Sequence, residues 1–172
     1  MMKVKLYLDL DGTLTVWKKC DSLEELYRKG YFSSLPAHTN VVEGVKILMR
    51  EHPEITTYTL SATFADAKYA IPDKERWISQ NLPEVPKERR LYTPCGAPKS
   101  PFVVPDYSGE DVRQVLLDDY TKNLVDWKAS GYVGIKLIND INHTSGAWKG
   151  PFVDFSWSPG EIAQKIAEIA LS

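Results

Sequence analysis

Short apolar runs rich in β-branched and aromatic residues alternate along this chain with stretches whose apolar positions recur at helical spacing. Val4 to Leu8 reads as a strand closed by Asp9. Asp21 is placed to cap a helix from Ser22 to Lys29, with Gly30 as its stop. After an aromatic loop, GYFSSLPAHTN, a second helix is predicted over 41–51. Its apolar face carries Val42, Val45, Ile47, Leu48 and Met49, and His52-Pro53 ends it. EITTYTL at 54–60 is a second strand closed by Ser61, and a helical segment is expected from Ala62, interrupted at Pro72 and resuming to Asn81. RRLYTP gives a third strand. The Pro- and Gly-rich stretch from Pro94 to Gly109 reads as loop, with order expected only at Ser100 to Val104. VRQVLLDD at 112–119 is a fourth strand, again ending in two aspartates. A helix from Asn123 to Ser130 stops at Gly131, and VGIKLIN at 133–139 is a fifth strand. A polar loop from Asp140 to Ser158 leads to a last helix over 160–171, with Ile162, Ile166 and Ile169 on one face.

Strands alternating with helices predict an α/β fold built on right-handed crossovers. The interval between the first two strands is longer than a minimal crossover needs, so part of it is expected to form a small lid. In such sheets ligands bind at the carboxyl ends of the strands. Asp9, Asp11, Ser61, Asp118 and Asp119 all fall at those ends, which argues for a single site.

At 172 residues, 43% hydrophobic and 26% charged, the chain fits one globular domain. A net charge of −2 offers no footprint for a nucleic acid polymer or an anionic membrane. Cys20 and Cys95 lack metal-type spacing and are expected as reduced thiols in a cytoplasmic protein. No signal peptide or membrane span is expected, because no apolar run approaches the roughly 20 residues a span needs. Oligomeric state is not legible from the pattern.

The chemistry lies in the paired carboxylates. Like charges at Asp9 and Asp11 repel each other, and Asp118 and Asp119 are expected to add to the repulsion. A divalent cation with oxygen ligands relieves it, and a site without His or Cys suits Mg²⁺ better than zinc. Magnesium in turn points to phosphoryl chemistry. One carboxylate could attack phosphorus and a second could move protons. Gly12 allows the backbone turn that brings amides toward an anion, Ser61 could donate to a phosphate oxygen, and Lys99 is best placed to balance charge.

These residues carry a resemblance. DLDGTLT matches the DxDGT signature of the haloacid dehalogenase (HAD) superfamily. YTLSA with Ser61 resembles its second motif, Lys99 in PCGAPKS its third-motif lysine, and VLLDDYTKN its acidic fourth motif. The passages YFSSLPAHTNVVEGVKIL and DDYTKNLVDWKASGYVGIKLIN are similar to the 5'(3')-deoxyribonucleotidase-like branch. The resemblance implies a Rossmann-like three-layer α/β core over 1–172, with a parallel sheet in the order 5-4-1-2-3. A small helical cap is expected over 15–45.

It also implies Asp9 as nucleophile and metal ligand, and Asp11 as general acid/base giving its backbone carbonyl to Mg²⁺. Ser61 and Lys99 would hold the phosphoryl group, and Asp118 would bind the metal. Asp119 would assist through a water or by orienting Lys99. Amides of Gly12, Thr13 and Ala62 would donate to phosphate. The implied activity is hydrolysis of a small phosphorylated metabolite through an aspartyl-phosphate, with a nucleoside monophosphate as substrate. The alternatives are a phosphatase for a sugar phosphate or similar metabolite, and a non-catalytic binding module.

Each residue has a plainer reading. Ser61 could cap the helix expected from Ala62. Lys122 competes with Lys99. Trp17, Tyr31 and Phe32 could stack on a nucleobase or simply fill the cap. His38, His52 and His143 read as surface residues, Cys95 as structural, and Trp127, Trp148 and Trp157 as packing. Asn123, Asn139 and the NDINHTSGAWKG loop lie where polar contacts could form.

Overall fold

A computed structural model describes residues 2–141 and 147–172. Among the described residues, six strands form one parallel sheet. They are β1 (Lys3–Leu8), β2 (Ile55–Thr63), β3 (Arg90–Pro94), β4 (Val112–Asp118), β5 (Val133–Ile138) and β6 (Phe152–Asp154), in the order β3-β2-β1-β4-β5-β6. The helices are α1 (Thr39–Glu51), α2 (Ala70–Asn81), α3 (Thr121–Ala129) and α4 (Pro159–Leu171). No helix among the described residues is long and apolar enough to cross a membrane.

The sheet separates two cores, which is why β1 is apolar at successive positions rather than alternately. Leu6 and Leu8 face α1 and α4, packing with Val45, Leu48, Ile162 and Ile166. Both leucines are fully buried, worth roughly 1.5–3 kcal/mol each. Tyr7 points the other way, stacked on Tyr58 with ring centroids 5.1 Å apart and set edge-on to Trp127 of α3. Lys5 shares that face. Its ammonium donates to the carbonyls of Val104 (2.9 Å) and Pro105 (3.3 Å), fastening the irregular segment before β4 over the sheet.

The site follows from the strand order. From β1 the chain passes to β2 and β3 on one side, then returns to place β4 on the other side of β1. The loops leaving β1 and β4 therefore diverge and open a crevice at their carboxyl ends. Leu8 pairs with Leu117, and the Asp9 amide donates to the Leu117 carbonyl at 2.9 Å, so the acidic residues that follow are abreast.

Several sequence expectations change. The segment 22–29 forms only a 3₁₀ turn, Leu23–Tyr27, and no side chain caps it. It buries Leu26 alone, and so short a polar segment lacks the packing that sustains an α-helix. The helix expected from Ala62 is instead the end of β2, which pairs with β3 as far as Thr63 and Pro94. Ser61 therefore lies within a strand and caps nothing. α2 begins at Ala70, so Pro72 occupies its first turn, where a missing N–H costs no hydrogen bond. β6 arises inside the stretch read as loop, and α4 starts with a Ser158–Glu161 capping box.

His38 is buried rather than exposed, with Phe155 against its ring at 5.3 Å. Cys95 is exposed, not structural. Trp127 is core, as expected. His143 and the centre of the NDINHTSGAWKG loop lie outside the described residues.

The chain leaves and re-enters the core at a bridge between Thr15 and Ala37. From Thr39 it is α1, packed along α4. The intervening segment is a lid pinned to α2 and its approach. Asp73 accepts from the Gly30 amide (2.6 Å), the Trp77 indole donates to the Leu35 carbonyl (2.8 Å), and the Tyr27 hydroxyl donates to Asp66 (3.0 Å).

Candidate active site

Asp9, Asp118 and Asp119 converge just beyond β1 and β4. One carboxylate oxygen from each lies within 4.8 Å of the others, and all three residues are buried. The Lys99 ammonium bridges Asp9 (2.6 Å) and Asp118 (2.7 Å), so the competing Lys122 is set aside; that side chain pairs with Asp126 instead. The Asn123 amide and the Tyr120 backbone N–H donate to Asp118 at 2.9 and 2.8 Å. The Asn139 amide reaches from the end of β5 to Asp119 (3.2 Å) and to the Gly12 carbonyl (2.7 Å).

Thr13 does not present itself to a substrate. It is fully buried, its hydroxyl is shared between Asp9 (3.3 Å) and Asp119 (3.2 Å), and it accepts from the Asp119 amide (3.0 Å). Its own amide donates to the Leu10 carbonyl, and that of Gly12 approaches the Thr15 hydroxyl at 3.4 Å. The turn consumes these donors because it must reverse the chain under Asp119. Gly12 holds φ +85°, and a Cβ there would come 2.9 Å from Cγ of Asp119.

Asp11 and Ser61 belong to a second cluster, around a lysine that the sequence reading passed over. Lys74 is 1% exposed, and its ammonium donates to Asp11 Oδ2 (2.6 Å), Ser61 Oγ (2.8 Å) and the Ala62 carbonyl (2.7 Å). It also lies 4.5 Å from the centre of the Phe32 ring. The signal was present: in α2 the buried positions Ala70, Trp77 and Ile78 define a stripe on which residue 74 falls. A lysine on a buried stripe needs a partner. The other oxygen of Asp11, Oδ1, is buried and has no hydrogen-bond partner among the described residues.

Four carboxylates thus meet three lysines, since Lys136 of β5 donates to the Asp119 carbonyl and to the Thr121 hydroxyl (2.8 Å). Carboxylates outnumber lysines here, and the excess bears on Asp9. Burial first, then Asp118, Asp119 and Asp11, push the Asp9 carboxyl well above the usual range against the opposing pull of Lys99. Burial alone would lower the Lys99 pKa, but Asp118 and Asp9 outweigh it and hold the ammonium charged. Burial lowers Lys136. Buried oxygen donors with residual negative charge suit a hard divalent cation, so Asp9, Asp118 and Asp119 fit Mg²⁺. The Asp11 carboxylate lies outside that ligand group and is held by Lys74.

A cavity of about 360 Å³ opens above the carboxylates. Asp9, Asp11 and Asp119 form its floor. Trp17, Leu26 and Phe32 of the lid make one wall, and Ala62, Thr63 and Phe64 another. Cys95, Tyr120 and Asn123 close the rim. Tyr31 lies behind the wall, its hydroxyl turned to the Lys18 carbonyl and to Cys20.

No family model and no curated protein sequence matches the chain. Solved structures do. The D,D-heptose 1,7-bisphosphate phosphatase of B. bronchiseptica, complexed with magnesium and phosphate, superposes with a TM-score of 0.58 at 13% identity, over 97% of this chain and 99% of that one. The D,D-heptose 1,7-bisphosphate phosphatase of Burkholderia thailandensis gives 0.57 at 12% identity, over 96% and 99%. The chain therefore shares the fold of these two proteins, an α/β architecture built on one parallel sheet.

Proposed function

We propose that this protein is a Mg²⁺-dependent phosphomonoester hydrolase acting on a small phosphorylated metabolite. The observation that carries the reading is the buried set Asp9, Lys99, Asp118 and Asp119 beneath a cavity whose floor also holds Asp11. In the first step an Asp9 oxygen forms a bond to phosphorus as the ester P–O bond breaks, and Asp11 gives its proton to the departing oxygen. In the second, Asp11 takes a proton from a water whose oxygen attacks phosphorus. The Asp9–phosphorus bond then breaks and inorganic phosphate leaves. Ser61 and Lys99 hold the phosphoryl oxygens. Magnesium held by Asp9, Asp118 and Asp119 would neutralise charge on those oxygens.

By their names, the structurally similar phosphatases act on a heptose bisphosphate, which supports a sugar phosphate or comparable metabolite over a nucleotide. The aromatic walls at Trp17, Phe32 and Phe64 favour the second reading, a nucleoside monophosphate. Turnover of a panel of sugar phosphates and nucleoside monophosphates, with Mg²⁺ and with EDTA, chooses between them. Asp9→Asn should abolish turnover of every active panel member; an Asp9→Asn protein working at the parental rate refutes the hydrolase. Mg²⁺ binding with no turnover of any member would leave a binding module.

A further inference from the structure

We propose that the substrate of this site carries a single phosphate, and that the rest of it is an uncharged, ring-containing alcohol. The inference deepens the hydrolase reading above and rests on it, since it takes the phosphoryl group to sit over Asp9. It comes from where the cavity keeps its charge. Among the described residues that line it, the charged side chains are Asp9, Asp11 and Asp119, and all belong to the floor. The neighbouring ammoniums lie there too, Lys99 between Asp9 and Asp118 and Lys74 on Asp11. A phosphate at that end meets two lysines and the cation that the aspartates fit.

Above the floor, the described lining contains no Lys, Arg or His. Trp17, Leu26, Phe32, Phe64, Ala67 and Ala70 make it apolar, and the polar side chains Thr63 and Asn123 are uncharged. Lysines close in sequence to these residues are placed elsewhere. Lys18 and Lys19 follow Trp17 but are exposed and outside the lining. Lys68 lies over the Tyr69 ring, 4.8 Å from its centre, and Lys122 pairs with Asp126. A second phosphate or a carboxylate entering with the first would lose hydration against apolar walls that offer no counter-charge, and an unpaired buried anion is costly. An uncharged ring avoids that cost and gains by covering apolar surface.

The aromatic walls are braced by their own neighbours. Phe64 stacks on Tyr27 with ring centroids 5.9 Å apart, and the Tyr27 hydroxyl is tied to Asp66 at 3.0 Å. Phe32 is set edge-on to Tyr31 at 5.0 Å, with the Lys74 ammonium 4.5 Å from its centre. The cavity is therefore charged at one end and apolar at the other, and its 360 Å³ suits a small ligand.

Three phosphonates, whose C–P bond resists hydrolysis, separate the ring from the charge: methylphosphonate, benzylphosphonate and 4-carboxybenzylphosphonate. Each is titrated by calorimetry into the Mg²⁺-loaded parent protein. Benzylphosphonate should bind about 10-fold or more tightly than methylphosphonate, the scale of burying one aromatic ring. The added carboxylate should cancel that gain, leaving 4-carboxybenzylphosphonate about 10-fold or more weaker than benzylphosphonate. Phe64→Arg places a cation on a half-buried wall position and should close the gap between the two ring compounds. The comparison in the parent protein stands without that variant. A ring that adds nothing over the methyl group overturns the proposal, as does a carboxylated ring that binds as tightly as the plain one. If neither the phosphonates nor inorganic phosphate binds, the phosphoryl site itself is wrong, and the hydrolase reading falls together with this inference.

Discussion

Removing the Lys99 ammonium should destabilise the metal-free protein severely and the magnesium-loaded protein far less. The ammonium sits 2.6 Å from Asp9 and 2.7 Å from Asp118, with exposures of 2%, 10% and 0% for the three side chains. At an effective dielectric of about 20, each contact has a gross attraction of about 6 kcal/mol, most of it offset by desolvation. Deleting one member of such a buried group typically costs about 3–5 kcal/mol, because the remaining charge is stranded. Asp118 keeps bonds from Asn123 and the Tyr120 amide, whereas among the described residues Asp9 keeps only the 3.3 Å contact from Thr13, so Asp9 is the stranded group. For a domain of this size the loss lowers Tm by roughly 6–20 °C. Urea unfolding of Lys99→Met against the parent in EDTA measures it, and excess Mg²⁺ should recover much of the deficit. Adding Asp118→Asn to Lys99→Met should also restore stability, since it removes one of the two facing carboxylates. A Lys99→Met protein within about 0.5 kcal/mol of the parent in EDTA would show that the three groups are not coupled as described.

Magnesium at a hundredfold excess over its Kd should stabilise the parent by about 2.7 kcal/mol, and Asp119→Asn should shrink the Tm rise seen by scanning calorimetry. Gly12→Ala should cost about 1–3 kcal/mol for a φ that L residues rarely adopt, and it should weaken Mg²⁺ binding in titration calorimetry because the new methyl displaces Asp119. His38 is held below its ordinary pKa by burial, with Asp140 opposing. The unfolded chain therefore takes up the proton first, and stability that is complete above about pH 6.5 declines as pH falls toward the folded pKa. His38→Leu should flatten that slope in denaturation curves collected from pH 7 to pH 5.

Much of this protein is legible without coordinates. Apolar runs ending in acidic residues place Asp9, Asp11, Asp118 and Asp119 at strand ends, because a strand buried on both faces must be apolar along its length and can shed charge only where it emerges. Lys99 could be chosen on the order of motifs. What the chain alone did not determine are the features that depend on neighbours distant in sequence. Ser61 lies inside β2 because β3 pairs beside it as far as Thr63, although the local pattern closed the strand at Ser61 and left a helix cap open as its plainer role. The segment 22–29 stops at a 3₁₀ turn because little packs against it. β6 exists because its three residues find the edge of β5. Lys74 is the clearest case. Local propensity places it on a helix, but only the tertiary packing of α2 against the crevice turns a lysine on an apolar stripe into the partner of Asp11 and Ser61. Burial makes an unpaired ammonium too costly to tolerate, so the fold had to bring it acceptors.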